Sequence, residues 1–345
     1  MDSLDKAILI ALDGNCRLSY QSIADTVGVT ANAIRKRMDR LIEEGVIEEF
    51  VVLLRPEMVG SEYLVALVTT DGSENESEFI EHLGANLNIV QVGQLVTSSN
   101  RVYFVHCEYV GTQGLKDLGS FFRQLGSVTD VELHTILMSR GNTFNIKRLH
   151  LQVLNLLLED ARMSVSLIAN RLGITARRAG RAIQEMQDSG AFWFSTRWNL
   201  SLGDNHEFYL KITYDERIST RESIDKWLHK TYPSEYWFCF CSAMEPIVFA
   251  KFVTDHFRDA QPIAQVVKNE ESCLSVDVLL SYPVRKFTRL GTNKIRDMII
   301  EANPNASLVT GPLTGLIISA PKQGCVTSRL SFTGGITDSI QVYKS

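Results

Sequence analysis

Apolar residues at Leu4, Ile8, Ala11 and Leu12 make a stripe on one face of a helix. After Ser19, a natural N-cap, the pattern predicts a short second helix over Tyr20–Val27, ended by Gly28 where a left-handed residue costs least. Thr30 caps a third helix over 31–44, closed by Gly45. In it Ile34, Met38 and Leu41 fall at i, i+4 and i+7, so one face is core and the other is polar. EEFVVLLRP (48–56) reads as a strand and wing. The periodicity then changes from 3.6 to 2. Runs at 63–70, 89–96, 102–109 and 128–137 are β-rich, and 74–83 and 112–125 are helical. The order β-α-β-β-α-β is the ferredoxin-like split motif.

The whole pattern then recurs. A shift of 145 positions lays RLSYQSIADTVGVTANAIRKRMDRLIEEGVI (17–47) on RMSVSLIANRLGITARRAGRAIQEMQDSGAF (162–192) without a gap. The same shift sets 102–108 on 247–253 and 128–137 on 273–282. The expected fold is therefore α+β, two tandem units, each a winged helix-turn-helix followed by a ferredoxin-like regulatory domain. The expected bounds are 1–58 and 61–138, a polar joint at 139–148, then 149–202 and 206–285. Residues 286–345 have no counterpart; a helix around Ile295, Met298 and Ile299 is expected there, packing on the second unit. One face of each regulatory sheet is left for association, within the chain as a pseudo-dimer or between chains.

Between Ala31 and Ile42 four bases meet one acid, on the exposed side of the third helix. Cations there neutralise phosphates or take guanine, and Asn suits adenine. The candidate DNA-binding residues are Thr30, Asn32, Arg35, Lys36, Arg37 and Arg40, with Thr175, Arg177, Arg178 and Arg181 in the second copy. Double-stranded DNA is the expected partner. The second copy has Gly180-Arg181-Ala182 where the first has Arg35-Lys36-Arg37, so the two readers are not equivalent. The aromatic run 191–198 is read as packing.

The 345 residues fit two to four domains. The net charge of −5 argues against a general polyanion binder but leaves room for a local basic face. Six scattered cysteines form no disulfide framework and suit a reducing cytoplasm. No run nears the ~18 apolar residues of a membrane span. The first residues lack a basic n-region and read as the start of a folded domain.

SLDKAILIAL, the turn Ile23-Ala24…Val27-Gly28-Val29-Thr30 and Arg37…Leu41…Gly45-Val46-Ile47, followed by β-α-β-β-α-β, resemble the Lrp/AsnC (feast/famine) family of prokaryotic regulators. The resemblance covers 4–137 and, more loosely, 149–282. It implies sequence-specific DNA binding, association through the regulatory domains, and often an amino-acid effector between them. The family's Gly-x-x-Asp turn is here Ser98-Ser99-Asn100-Arg101 and Ala243-Met244-Glu245-Pro246. Ser98, Ser99 and Asn100 are the candidate effector contacts, but the altered turn argues against the usual amino acid.

Two other readings compete. The same tandem architecture occurs in siroheme decarboxylases, but their His-Asn-Tyr-x-Arg stretch is missing, and TYPSEYWFCF (231–240) beside His229 is the nearest echo. A partner-binding module that has lost DNA contact is the other. Cys239-x-Cys241 lacks a second pair and reads as packing, not as a metal site. His106 and His134 read as paired residues on adjacent strands. No nucleotide loop or hydrolase motif occurs, so no catalysis and no cofactor are expected.

Overall fold

The computed structural model describes residues 1–96, 101–203, 205–280 and 284–303. Helix α1 spans Ser3–Gly14 and opens with a reciprocal capping box between Asp2 and Asp5. Helices α2 (Tyr20–Val27) and α3 (Ala31–Glu43) are capped by the Ser19 and Thr30 hydroxyls. Gly28, at φ 73°, makes the left-handed turn between them. Ile8, Leu9, Leu12, Ile23, Ile34, Met38 and Leu41 close the small core. Strand β1 (Ile47–Leu54) and the single turn α4 (Pro56–Val59) follow.

The first regulatory domain is β2 (Glu62–Thr70), α5 (Glu76–Gly84), β3 (Ile89–Leu95), β4 (Arg101–Tyr109), α6 (Gly111–Gln124) and β5 (Val128–Leu137). The second unit repeats this as α7 (Arg148–Leu157), α8 (Val165–Leu172), α9 (Ala176–Asp188), β6 (Phe192–Trp198), β7 (His206–Tyr214), α10 (Arg221–Thr231), β8 (Tyr236–Ser242), β9 (Ile247–Thr254), α11 (Ala260–Lys268) and β10 (Cys273–Leu280). Beyond it lie β11 (Arg285–Lys286) and α12 (Leu290–Ala302).

The strand read as a wing does something else. β1 pairs antiparallel with β6 of the other copy, Phe50 opposite Thr196 and Val51 opposite Ser195. Val52, Leu53 and Leu54 are all buried, so both faces of β1 are apolar at this end and need cover on both sides. Val52 and Leu54 on one face pack into the core of the second helical head together with α12.

The two regulatory sheets join edge to edge into nine strands, β10-β7-β9-β8-β5-β2-β4-β3-β11. The seam is short: Ile136 faces Ser242 and Leu137 faces Cys241. The free faces also pack on each other through Val65, Phe104, Ile136, Tyr209 and Phe249. Of the two pairings left open, the chain therefore makes the one within itself. The repeat slips once along the way: Tyr209 stands opposite Lys251 as Val65 stands opposite His106, so β7 is one residue out of step with the rest.

His106 and His134 are not on adjacent strands. They lie on β4 and β5 with β2 between, both opposite Val65. The joint at 139–148 is anchored as well as polar: Phe144 packs on Phe192 and His150 in the second head's core. The expected helix in the tail is α12, with Ile295 and Ile299 buried. It touches the first unit as much as the second, since it lies against β1 and α4 as well as α7. Residues 304–345 lie outside the described residues.

Candidate nucleic-acid interface

The third helix of each head is built from the inside outward. In α3 the buried stripe Ile34, Met38 and Leu41 leaves Asn32, Arg35, Lys36 and Arg40 exposed on the other side. Thr30 Oγ1 is occupied at 3.3 Å by the backbone N–H of Ala33. The free amides at the helix start and the aligned peptide dipoles add positive potential to this end. Arg35 and Lys36 have no protein partner among the described residues, so their charge is available to an outside anion.

Arg37 and Arg40 have partners. Arg37 Nη1 lies 2.6 Å from Asp2 and 2.9 Å from Asp5, and Arg40 Nη2 lies 2.6 Å from Asp5. Asp5 is 1% exposed, so these bonds fix the angle between α1 and α3. Burial is the largest single influence on the Asp2 carboxyl and works to raise it, but the bond and charge of Arg37 together with the backbone N–H groups of Asp5 and Leu4 hold it below the usual range. The same bonds from Asp2 and Asp5 raise Arg37. Arg37 is thus a positioning residue, while Arg40, still exposed, can serve both roles. The Asp-x-x-Asp spacing before an apolar stripe was the sequence signal for this anchor.

In the second head Thr175 caps α9, and Arg177, Arg178 and Arg181 are exposed. Arg181 lies 3.2 Å from Glu185 along the helix. Repeat position for repeat position, the Asp5–Arg40 anchor becomes His150–Glu185, at 3.1 Å. The acid has moved from the first helix to the third. Arg37 becomes Ala182, which is buried. The second reader's third helix has therefore lost two bases and gained one acid at the contact between its helices.

The heads are locked as a pseudo-twofold pair. Arg17 donates to the carbonyls of Ala161 and Met163, and Arg162 donates to those of Cys16 and Leu18. A family described as winged helix-turn-helix DNA-binding matches residues 1–48 and 146–191, the two heads. An uncharacterized HTH-type transcriptional regulator of Pyrococcus furiosus is 29% identical over 133 residues, 38% of this chain and 86% of that protein. HTH-type transcriptional regulator LrpA of Pyrococcus horikoshii is 33% identical over 78 residues, 23% of this chain and 52% of that protein. Both heads thus match a winged helix-turn-helix DNA-binding family, and the first unit is similar to regulators that include an LrpA.

These likenesses support a DNA-binding regulator of the Lrp/AsnC kind in tandem form. The crystal structure of the siroheme decarboxylase NirDL shares the fold across both copies, with TM-score 0.51, 11% identity, 87% of this chain and 98% of that one covered. That likeness concerns architecture alone. No helix among the described residues is long and apolar enough to cross a membrane.

Other candidates fall as follows. Ser98, Ser99 and Asn100 lie outside the described residues. Their counterpart turn carries Glu245, whose Oε2 is 2.8 Å from His134 Nδ1 but off the hydrogen-bonding direction. Cys239 and Cys241 bring their sulfurs to 3.6 Å on the helix-covered side of β8, packed in the second domain's core. Among the described residues no cluster of three or more His, Cys, Asp or Glu is arranged for a metal. His229 is exposed and stacks edge-on against Tyr236, at 4.7 Å between ring centres.

Proposed function

We propose that this chain is a sequence-specific transcriptional regulator that places its two third helices in the major groove as an unlike pair, with the regulatory domains holding them together. The observation carrying this reading is the contrast in charge commitment on α3. Arg37 is tied to α1, whereas Arg35 and Lys36, next to Asn32, project free from the same capped helix. A solvated surface helix has no need for that division.

Asn32 and Arg35 are assigned to base edges, and Lys36 and Arg40 to phosphates, with Thr30 holding the helix start. Arg177, Arg178 and Arg181 engage the second half-site, mainly through phosphates. Because the readers differ, the preferred operator has two dissimilar halves and is no palindrome. The regulator acts in the cytoplasm, and self-association beyond the internal pseudo-dimer is an open surface property of the regulatory domains.

The test is fluorescence anisotropy on a selected promoter fragment between 50 and 200 mM salt. Affinity should fall steeply, since each neutralised phosphate releases a counterion. Arg35→Ala should cost about 1–3 kcal/mol on the preferred site and little on random DNA. Flat salt dependence, or equal loss on both DNAs, overturns the assignment.

A further inference from the structure

The two regulatory domains fill the space between helices and sheet in opposite ways. In the first, Phe79, Tyr103 and Phe122 occupy it, at 8%, 0% and 0% exposure. Phe79 and Tyr103 have ring centres 4.8 Å apart, and the Tyr103 hydroxyl donates to Glu74 Oε1 at 2.9 Å. At the repeat positions of the second domain stand Ile224, Val248 and Val267, all smaller.

The aromatic mass has moved along the sheet instead. Leu64 and Cys107, paired at the other end of β2 and β4, correspond to Phe208 and Phe252, stacked at 5.3 Å. What is left beside Ile212 is a cavity of about 250 Å³. Its walls are Ile212, Tyr214, Ile224, Trp227 and Val267. Ser219 and Ser223 bring hydroxyls to it, and Glu270 is the one charged residue in the lining.

We propose that this cavity binds a small single-ring aromatic molecule carrying a hydrogen-bond donor, a phenol or an aromatic amine. The first domain supplies the template: there a phenol ring packs on Phe79, the repeat position of Ile224 in the cavity wall, and donates its hydroxyl to Glu74, the repeat position of Ser219. In the second domain Ser219 replaces Glu74, and Glu270 supplies the carboxylate from the end of α11. With Glu270 as its only charge, the lining favours a neutral or cationic ligand over a carboxylate, whose burial without a cation is costly. The space opens to solvent past Ser223 and Glu270, so a ligand can enter it, and the first copy's larger side chains at the repeat positions show that the fold itself does not require it. It lies within one domain, lined by none of the DNA-facing helices, and does not depend on the DNA assignment.

The test is calorimetry on the full chain without DNA, using tyramine, phenol and benzoate as probes, with Trp227 fluorescence as a second readout. Tyramine and phenol should bind and benzoate should bind at least tenfold more weakly. The triple variant I224F/V248Y/V267F, which restores the first domain's residues, should keep its circular dichroism and lose binding. Glu270→Gln, at an exposed position, should fold normally and weaken tyramine about tenfold more than phenol. No binding of tyramine or phenol at millimolar concentration, benzoate binding best, or a Glu270→Gln variant with unchanged preference each overturns the proposal. Unchanged affinity in a folded triple variant does the same.

Discussion

Arg17 and Arg162, equivalent residues of the two copies, each reach into the other head and donate to the same pair of backbone carbonyls there. Arg17 takes Ala161 and Met163; Arg162 takes Cys16 and Leu18, the positions that correspond under the repeat. Arg162 also lies over the rings of Tyr20 and Phe50, at 5.3 and 5.4 Å. These bonds and the β1–β6 ladder hold the two heads at a fixed spacing.

Removing either arginine leaves two buried carbonyls without a donor. Bonds to charged groups contribute roughly 1.5–3 kcal/mol, so Arg17→Ala and Arg162→Ala should each cost about that much. The losses should be non-additive, because either change loosens the same contact. Urea denaturation of the two single variants and the double variant measures this. A coupling near zero would show that the two bonds act independently and that the ladder alone sets the spacing.

The division of labour on α3 gives a second expectation. Lys36→Ala should lower the salt dependence of DNA binding by about one unit of slope while leaving stability almost unchanged. Arg37→Ala should do the reverse. It frees Asp5, 1% exposed, from one of its two cations, and should cost about 1–3 kcal/mol, discounted from a fully buried pair because Arg37 itself is partly exposed. Thermal melts and salt titrations of both variants separate these roles. A slope change in Arg37→Ala equal to that in Lys36→Ala would return Arg37 to the phosphates.

Much of this was legible in the sequence because it is local. Ser19, Gly28 and Thr30 set the ends of α2 and α3, and the stripe Ile34, Met38, Leu41 is the set of residues buried on α3. The partner of β1 was not legible. A strand's own residues say how many of its faces are covered, not which strand covers them, and β6 lies far along the chain. The one-residue slip at β7 is equally hidden, since Val65 and Tyr209 are too unlike to show that they correspond. The charge exchange between Asp5–Arg40 and His150–Glu185 could have been read, because both pairs sit at repeat positions. Its meaning needed the contact between the helices.

The tail gives the third prediction. β11 pairs with Gln91 and Val92, closing the edge of β3, while Lys286 bonds Glu48 at 2.8 Å and Lys294 donates to the carbonyl of Met58 at 2.6 Å. Phe287 sits so close over Gly84 that a Cβ there would collide with its ring. Gly84→Ala should therefore dislodge 285–287 and loosen α12 while the first regulatory domain stays folded. Hydrogen exchange should rise in α12 and along the β3 edge and remain unchanged in β2 and β4. Uniform exchange across the first domain would mean that the substitution unfolds α5 instead of releasing the tail.

Acid should act on the space between the sheets. His106 Nε2 is buried there without a partner, between Phe104 and Phe240 at 5.0 and 4.9 Å. Burial, then the nearby charges of Arg289 and Lys251, push its pKa down to about 3 from an ordinary 6.5. The unfolded chain thus binds a proton below 6.5 that the folded chain refuses, so this group's stability is complete above about pH 6.5 and is lost as pH falls toward 3. The slope is bounded by about 1.4 kcal/mol per pH unit. Glu132, held down to about 2 first by its bond to His134 and then by Lys211, adds its own loss, but only below about 4.5. Denaturation midpoints followed between pH 7 and 5 should fall for the native chain. For His106→Phe, which keeps a ring in the same packing, they should fall much less. If the two profiles run parallel across that interval, His106 is not the group that titrates.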